Sequence, residues 1–254
     1  MKITTFVTAL CIAFLFIGCS KKNESGLKLE QTKISIVAGE TQTLTITPNI
    51  DGCIFESENS SIASVSSAGV VKGLIVGETI IKVTNKTNNF SAKCKVTVTP
   101  QYQMYREPYL NFGASAGQIK SYETRELISE TTTGIVYGGE NSRVKFVVYL
   151  LENSKYKSAG VYVPYSSSNT DLLVNFMCER YIVDVYDDDI IFLSIDEKIG
   201  GGITVSYNSG QYYYVVIYFE IDFSGYARSK YSDNIIMDHV REQFESIKPE
   251  FQNN

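Results

Sequence analysis

Tryptophan is absent and histidine occurs once in 254 residues. The first absence removes the usual flat platform for stacking sugar rings, and the second removes most chemistry built on a neutral-pH imidazole base. An excess of basic charge is also missing. Lys and Arg number 23 against 28 Asp and Glu, a formal charge of −5. No basic stripe is available for phosphates, so nucleic acid is not an expected partner. The one histidine, His239, lies beside Asp238 and Glu242 and reads as a plain helix residue rather than the base of a Ser/His/acid triad, although Gly113-Ala114-Ser115-Ala116-Gly117 has the Gly-x-Ser-x-Gly form. Composition that is 44% hydrophobic and 20% charged fits neither a disordered tail nor a multi-span membrane protein. The length implies two domains plus appendages.

What is present begins with an export signal over residues 1–18. Met1 and Lys2 precede Ile3 to Gly18, sixteen residues without a charge. That run is shorter than the roughly 20 apolar residues a spanning helix needs, and it gives way at once to the polar residues Ser20 to Ser25. The phrase Phe16-Ile17-Gly18-Cys19 resembles the lipobox of bacterial lipoproteins, with Phe16 where Leu is commonest. The resemblance implies acylation at Cys19, with residues 19–26 as anchor and linker and the membrane as a partner through an N-terminal lipid. Ser20 after the Cys resembles lipoproteins sorted to an outer membrane. No acidic run follows Cys19, which favours the periplasmic face over the cell surface.

The remainder divides near Thr99-Pro100. All 18 Tyr fall after residue 100, and residues 21–100 are rich in Ser, Thr, Val and Ile. The first part has a balance of +2, and residues 101–254 have −8. Short two-period runs, Ile34/Ile36, Leu44/Ile46, Ile81/Val83 and Cys94/Val96/Val98, alternate with turn residues. They predict an antiparallel sandwich. The order Val37-Ala38-Gly39-Glu40-Thr41, Phe55 to Asn59, Ile62-Ala63-Ser64-Val65, Ser67 to Gly73, Gly77 to Ile81 and Lys95 to Val98 resembles the bacterial immunoglobulin-like group 2 domain over residues 27–99. Phe55 stands where that family usually has Trp. The resemblance implies a spacer or adhesive role.

Cys53 and Cys94 both fall in the inward phase of this sandwich. In an oxidising envelope they are a candidate disulfide, and two buried free thiols are the alternative. Cys178 lies among Leu172, Leu173, Phe176 and Met177 and is expected in the core.

Residues 104–223 contain an internal repeat. Ser115-Ala116-Gly117-Gln118 and Ser168-Asn169-Thr170-Asp171 both have the form of a helix start. Helical patterns follow through Leu127 and Tyr181, and three strand-like runs follow each. The expected fold class is therefore mainly β with α+β: an N-terminal immunoglobulin-like sandwich, then a duplicated helix plus three-stranded antiparallel sheet. The phrase Asn111-Phe112-Gly113-Ala114-Ser115 before such a unit is similar to the tandem modules of β-lactamase inhibitor proteins, which implies a sheet face that grips another protein. Residues 224–254 form a C-terminal helix and tail. In it Ile236, Val240, Phe244 and Ile247 share one side, to be packed on the sheet or on a partner.

Possible chemistry is sparse. Asp187-Asp188-Asp189 lacks the alternation and turn Gly of a calcium loop and reads as a solvated turn, so no metal is expected. Gly200-Gly201-Gly202 lacks a following Lys-Ser/Thr and reads as a hairpin turn. No cofactor and no catalytic residue is expected. Tyr212-Tyr213-Tyr214, with Tyr207 nearby, must split between the two faces of a strand. One side packs a core; the other offers large rigid contact area, so Tyr207, Tyr212, Tyr213 and Tyr214 are the candidate partner-binding residues. The expected function is a non-catalytic, lipid-anchored envelope protein with a protein partner. The alternatives are a glycan-binding lipoprotein and a carboxylate-based hydrolase.

Overall fold

The structure is a computed structural model of the chain that describes residues 26–186, 189–222 and 233–252. The signal segment, Cys19 and the Asp187-Asp188 pair lie outside the described residues.

The first half is a sandwich of short strands: β1 (Lys28–Leu29), β2 (Lys33–Val37), β3 (Thr41–Thr43), β4 (Ile46–Thr47), β5 (Ile54–Ser57), β6 (Ala63–Val65), β7 (Val70–Gly73), β8 (Gly77–Asn85) and β9 (Phe90–Thr99). One sheet has the order β2-β9-β8-β5 and another β3-β7-β6, while β1 pairs with β4. Only β2 and β9 run parallel among these pairs. Alternation explains the layering. Ile34 and Ile36, Ile81 and Val83, and Cys94, Val96 and Val98 all point into one core with Leu44 and Val71. Phe55 packs half-buried against that core.

A Cys53 to Cys94 bridge is not present, and both thiols are free. The register gives the reason. Cys53 precedes Ile54, which pairs with Thr84, whereas Cys94 pairs with Ile81. The two residues therefore sit on the same sheet, two strands apart and about four positions out of step. That is about 10 Å across and about 13 Å along, far beyond the roughly 7 Å limit for bridged Cα atoms. Sharing an inward phase is not the same as facing across the sandwich.

The second half is built on one antiparallel sheet of eight strands, in the order β10-β11-β12-β13-β17-β16-β15-β14. Its first unit is α1 (Ala116–Tyr122), β10 (Leu127–Glu130), β11 (Gly134–Gly138), β12 (Phe146–Glu152) and β13 (Lys155–Pro164). Its second is α2 (Ser167–Cys178), β14 (Ile182–Tyr186), β15 (Asp189–Leu193), β16 (Ile199–Asn208) and β17 (Gln211–Glu220). Each unit is a helix followed by a meander, and the meanders meet through β13 and β17. The duplication is there, with four strands per unit rather than three. The additional strands, β10 and β14, are the sheet's two edges. Both were hidden because the helical patterns overrun the true ends: α1 stops at Tyr122 and α2 at Cys178.

The caps differ similarly. Ser115 caps α1, with the Gln118 side chain accepting from its N–H at 3.0 Å. The second cap is Ser166, not Ser168; its hydroxyl accepts from the Asn169 N–H at 3.3 Å. Cys178 is exposed rather than in the core. It lies one turn beyond Val174 on the outer side of α2, while Phe176 and Met177 take the inner side.

Two cores sandwich the sheet. On one face Ile119 of α1 and Leu173, Phe176 and Met177 of α2 pack on Val147, Tyr149, Val161, Val216 and Tyr218. On the other, α3 (Asp233–Ile247) and α4 (Pro249–Gln252) lay Ile236, Val240, Phe244, Ile247 and Phe251 against Val215, Ile217 and Phe219. Fully buried rings such as Phe244 and Phe251 contribute roughly 1.5–3 kcal/mol each. Gly200, Gly201 and Gly202 are not a turn but the interior of β16. A Cβ on Gly202 would meet the Phe244 ring at 2.6 Å, and one on Gly201 would meet Phe192 from the opposite face at 2.1 Å. The glycines are where a helix and a ring approach the strand from either side.

Candidate protein-binding surface

The four tyrosines singled out in the sequence divide between the faces. Tyr213 is 4% exposed and faces the C-terminal helices' side, its ring 6.2 Å from those of Phe146 and Tyr162. It is core, and its expected binding role is withdrawn. Tyr207, Tyr212 and Tyr214 share the other face. Tyr207 and Tyr212 are cross-strand partners, 61% and 57% exposed, with ring centroids 4.8 Å apart. Strand alternation forces this split, since Val216 and Tyr218 continue the phase of Tyr212 into the α1 and α2 core.

One member was missed. Tyr165, 54% exposed, follows β13, and its N–H donates to the Tyr212 carbonyl at 3.0 Å. Its ring lies 6.4 Å from Tyr212 and 4.8 Å from Tyr214. The β13–β17 register that brings it there has no local signature in the sequence. Val205, opposite Tyr214, and Val185, in the row of Ile190 and Ile203, extend the strip toward the β14 edge. Val185 is 70% exposed. The strip thus crosses the sheet beside α2, whose Thr170 hydroxyl lies 2.6 Å from the Tyr214 hydroxyl. Burial pushes the Tyr214 phenol above its ordinary value, and the Thr170 bond offsets part of that rise.

Buried polar links hold the layer beneath. The hydroxyls of Tyr105 and Tyr218 lie 2.6 Å apart. The Tyr181 hydroxyl donates to the Glu107 carboxylate, whose burial raises it above the usual carboxylate range. Below α1, Arg125 bonds Glu123 at 2.6 Å and Glu140 at 2.7 Å with its side chain 1% exposed. Tyr149 donates to Glu123 as well. On the opposite face a groove of about 350 Å³ is lined by Val136, Phe146, Val148 and Leu150, with Ser129 and Thr131 at its rim. Among the described residues no three His, Cys, Asp or Glu side chains converge as metal ligands. Asp189 is instead ion-paired with Lys248 at 2.5 Å, and His239 places Nε2 2.6 Å from the Asp222 carbonyl.

The N-terminal sandwich has a recognised pattern. Residues 25–96 match the bacterial Ig-like domain (group 2). No curated protein matches the chain. Solved structures similar to it include an intimin mutant of EHEC O157:H7, at 16% identity over 52% of this chain and 89% of that one, with a TM-score of 0.26. Domains 5-6 of the S-layer protein SbsC are 16% identical over 75% of this chain and 82% of that one, with a TM-score of 0.24. The Bacteroides ovatus protein SGBP-B of a mixed-linkage glucan utilization locus, in complex with a heptasaccharide, is 11% identical over 75% and 60%, with a TM-score of 0.25. Scores of this size do not indicate a common fold over the aligned lengths. The Ig-like domain therefore rests on the family match and on its own strand order. The strip on the second domain rests on its geometry, which offers rigid hydrocarbon contact edged by phenol hydroxyls.

Proposed function

We propose that this is a cell-envelope protein, tethered by lipid at Cys19, whose Ig-like domain is a non-catalytic spacer or adhesive element and whose eight-stranded domain binds another protein. The observation that carries the reading is the row Tyr207–Tyr212–Tyr165, exposed on one sheet face and continued by Val205 and Val185. Contiguous apolar surface of this kind marks interaction sites. Tyr supplies large contact area with few rotatable bonds. The glycan alternative is less well supported because the rings are not coplanar: Tyr207 and Tyr212 are inclined at 54°, and Tyr165 and Tyr212 at 61°. A sugar stacks its C–H face on a flat ring face, whereas tilted rings make clefts suited to protein side chains.

The test is photo-crosslinking in the native envelope from position 212, followed by affinity measurement with the captured protein. Tyr207→Ala and Tyr212→Ala should each weaken binding about 30-fold, as aromatic hot spots of about 2 kcal/mol do. Both rings are exposed, so the fold should be retained. Unchanged affinity in both variants, or capture of glycan alone, refutes the protein-binding reading. Separately, Cys19→Ala should move the protein from the membrane to the soluble fraction; retention in the membrane would refute the lipid tether.

A further inference from the structure

The junction between the two domains contains an acidic residue where helix electrostatics disfavour one. Glu179 is the C-cap of α2, at the negative end of the helix dipole. Its side chain is nonetheless only 7% exposed. Its carboxylate accepts two consecutive backbone N–H groups of the inter-domain segment, Gln101 to Oε2 and Tyr102 to Oε1, each at 2.9 Å. Arg180 completes the grip. Its Nη1 bonds Glu179 at 2.5 Å and the Phe176 carbonyl at 2.9 Å, and its Nη2 bonds the Tyr102 carbonyl at 3.0 Å. The guanidinium also stacks 3.8 Å over the Phe176 ring. From the Ig-like domain, the Val76 N–H donates to the Glu179 carbonyl at 2.7 Å.

These bonds leave very little free linker. β9 ends at Thr99 and the grip begins at Gln101, so one residue lies between. That residue is Pro100, whose ring fixes φ. Packing alone does not fix the angle. Beside the grip the domains face each other across an open cleft of about 420 Å³, with Ile62 and Val76 on one side and Tyr181, Ile195 and Ile199 on the other. Domains that meet without a large apolar interface are expected to move relative to one another.

We infer that Glu179 and Arg180 form a clasp that closes on Gln101 and Tyr102 and makes the two domains one stiff body. The clasp holds the exposed tyrosine row at a constant orientation to the Ig-like domain. This accounts for a buried acid at a helix C-terminus, where it would otherwise cost helix stability.

The test is the measurement of amide residual dipolar couplings on the full chain, purified as the Cys19→Ala variant. The parent should fit one alignment tensor for both domains. Glu179→Ala should require two, with loss of the common alignment. Should Glu179→Ala fail to fold, a four-residue Gly-Ser insertion between Thr99 and Pro100 leaves the clasp intact while freeing the Ig-like domain, and it too should require two tensors. A parent that already needs two tensors, or either folded variant that keeps one, overturns the clasp.

Discussion

Replacing Gly202 with Ala tests whether α3 is seated on β16 as described. The added Cβ would lie 2.6 Å from two carbons of the Phe244 ring and 2.7 Å from a third. Carbon atoms pack favourably at about 3.5–4.0 Å, so the ring must withdraw by about 1 Å. It is fully buried on a helix whose Val240, Ile247 and neighbouring Phe251 are also buried, so it cannot move alone. Overpacking of this kind costs about 1–3 kcal/mol. Reduced freedom of the unfolded chain gives back about 0.4–1 kcal/mol, because Gly202 has no left-handed φ to forbid Ala. The clash prevails, for a net loss of about 1–2 kcal/mol. Urea unfolding followed by tyrosine fluorescence reads this domain alone, since all 18 Tyr lie after residue 100 and there is no Trp. With a slope of about 2 kcal/mol/M, the midpoint should fall by about 0.5–1 M. Gly117→Ala on α1, where the nearest atom is 3.9 Å away, should raise it. Phe244→Leu should recover part of the loss in the Gly202→Ala background. A Gly202→Ala midpoint at or above the parent's would refute the seating of α3.

Arg125→Met should destabilise the same domain by about 3–5 kcal/mol at neutral pH, because it strands Glu123 and Glu140 without their partner. Burial alone pushes Glu140 up, but the hydrogen bonds from Arg125 and the Arg106 N–H outweigh it and hold the carboxyl below its usual range. The stability from Glu140 is thus present above the unfolded value of about 4.3 and lost as pH falls through the folded one. The gap between parent and variant should narrow on acidification; a gap that widens contradicts the ion pair. Alkylation without reductant should label Cys178 rapidly and half-buried Cys53 more slowly in the folded protein, and add buried Cys94 only after denaturation. A protein that gains no further label on unfolding contains the bridge that the register forbids.

How much of this was legible depends on the range of the interactions. The Ig-like half was readable because its signal is local. Alternation of Ile34 and Ile36, or of Cys94, Val96 and Val98, states which side of a strand is buried without reference to any other strand. The same logic separated Tyr212 from Tyr213 but could not say which of them was buried. That depends on which face α3 and α4 cover, a long-range fact. Edge strands β10 and β14 were lost because they carry no buried alternation: every residue of β10 is exposed, and only Val183 of β14 is not. An exposed strand following a helix looks, in sequence, like the helix continuing.

The glycine triplet shows the same limit from the other side. Three consecutive glycines contain no packing information of their own, and the turn reading was the local default. Gly200 meets Phe219 of β17, Gly201 meets Phe192 of β15 and Gly202 meets Phe244 of α3, so the meaning of the triplet is held in rings up to 42 residues away. Glu179 and Arg180 likewise read as a polar helix end, and only the return of the chain at Gln101 and Tyr102 gives them a task. Alternation therefore identifies layers, while the positions that join layers, whether small residues under a ring or a buried ion pair at a helix end, acquire their role from the partner. In this chain those joining positions include the ones that set where the tyrosine row points.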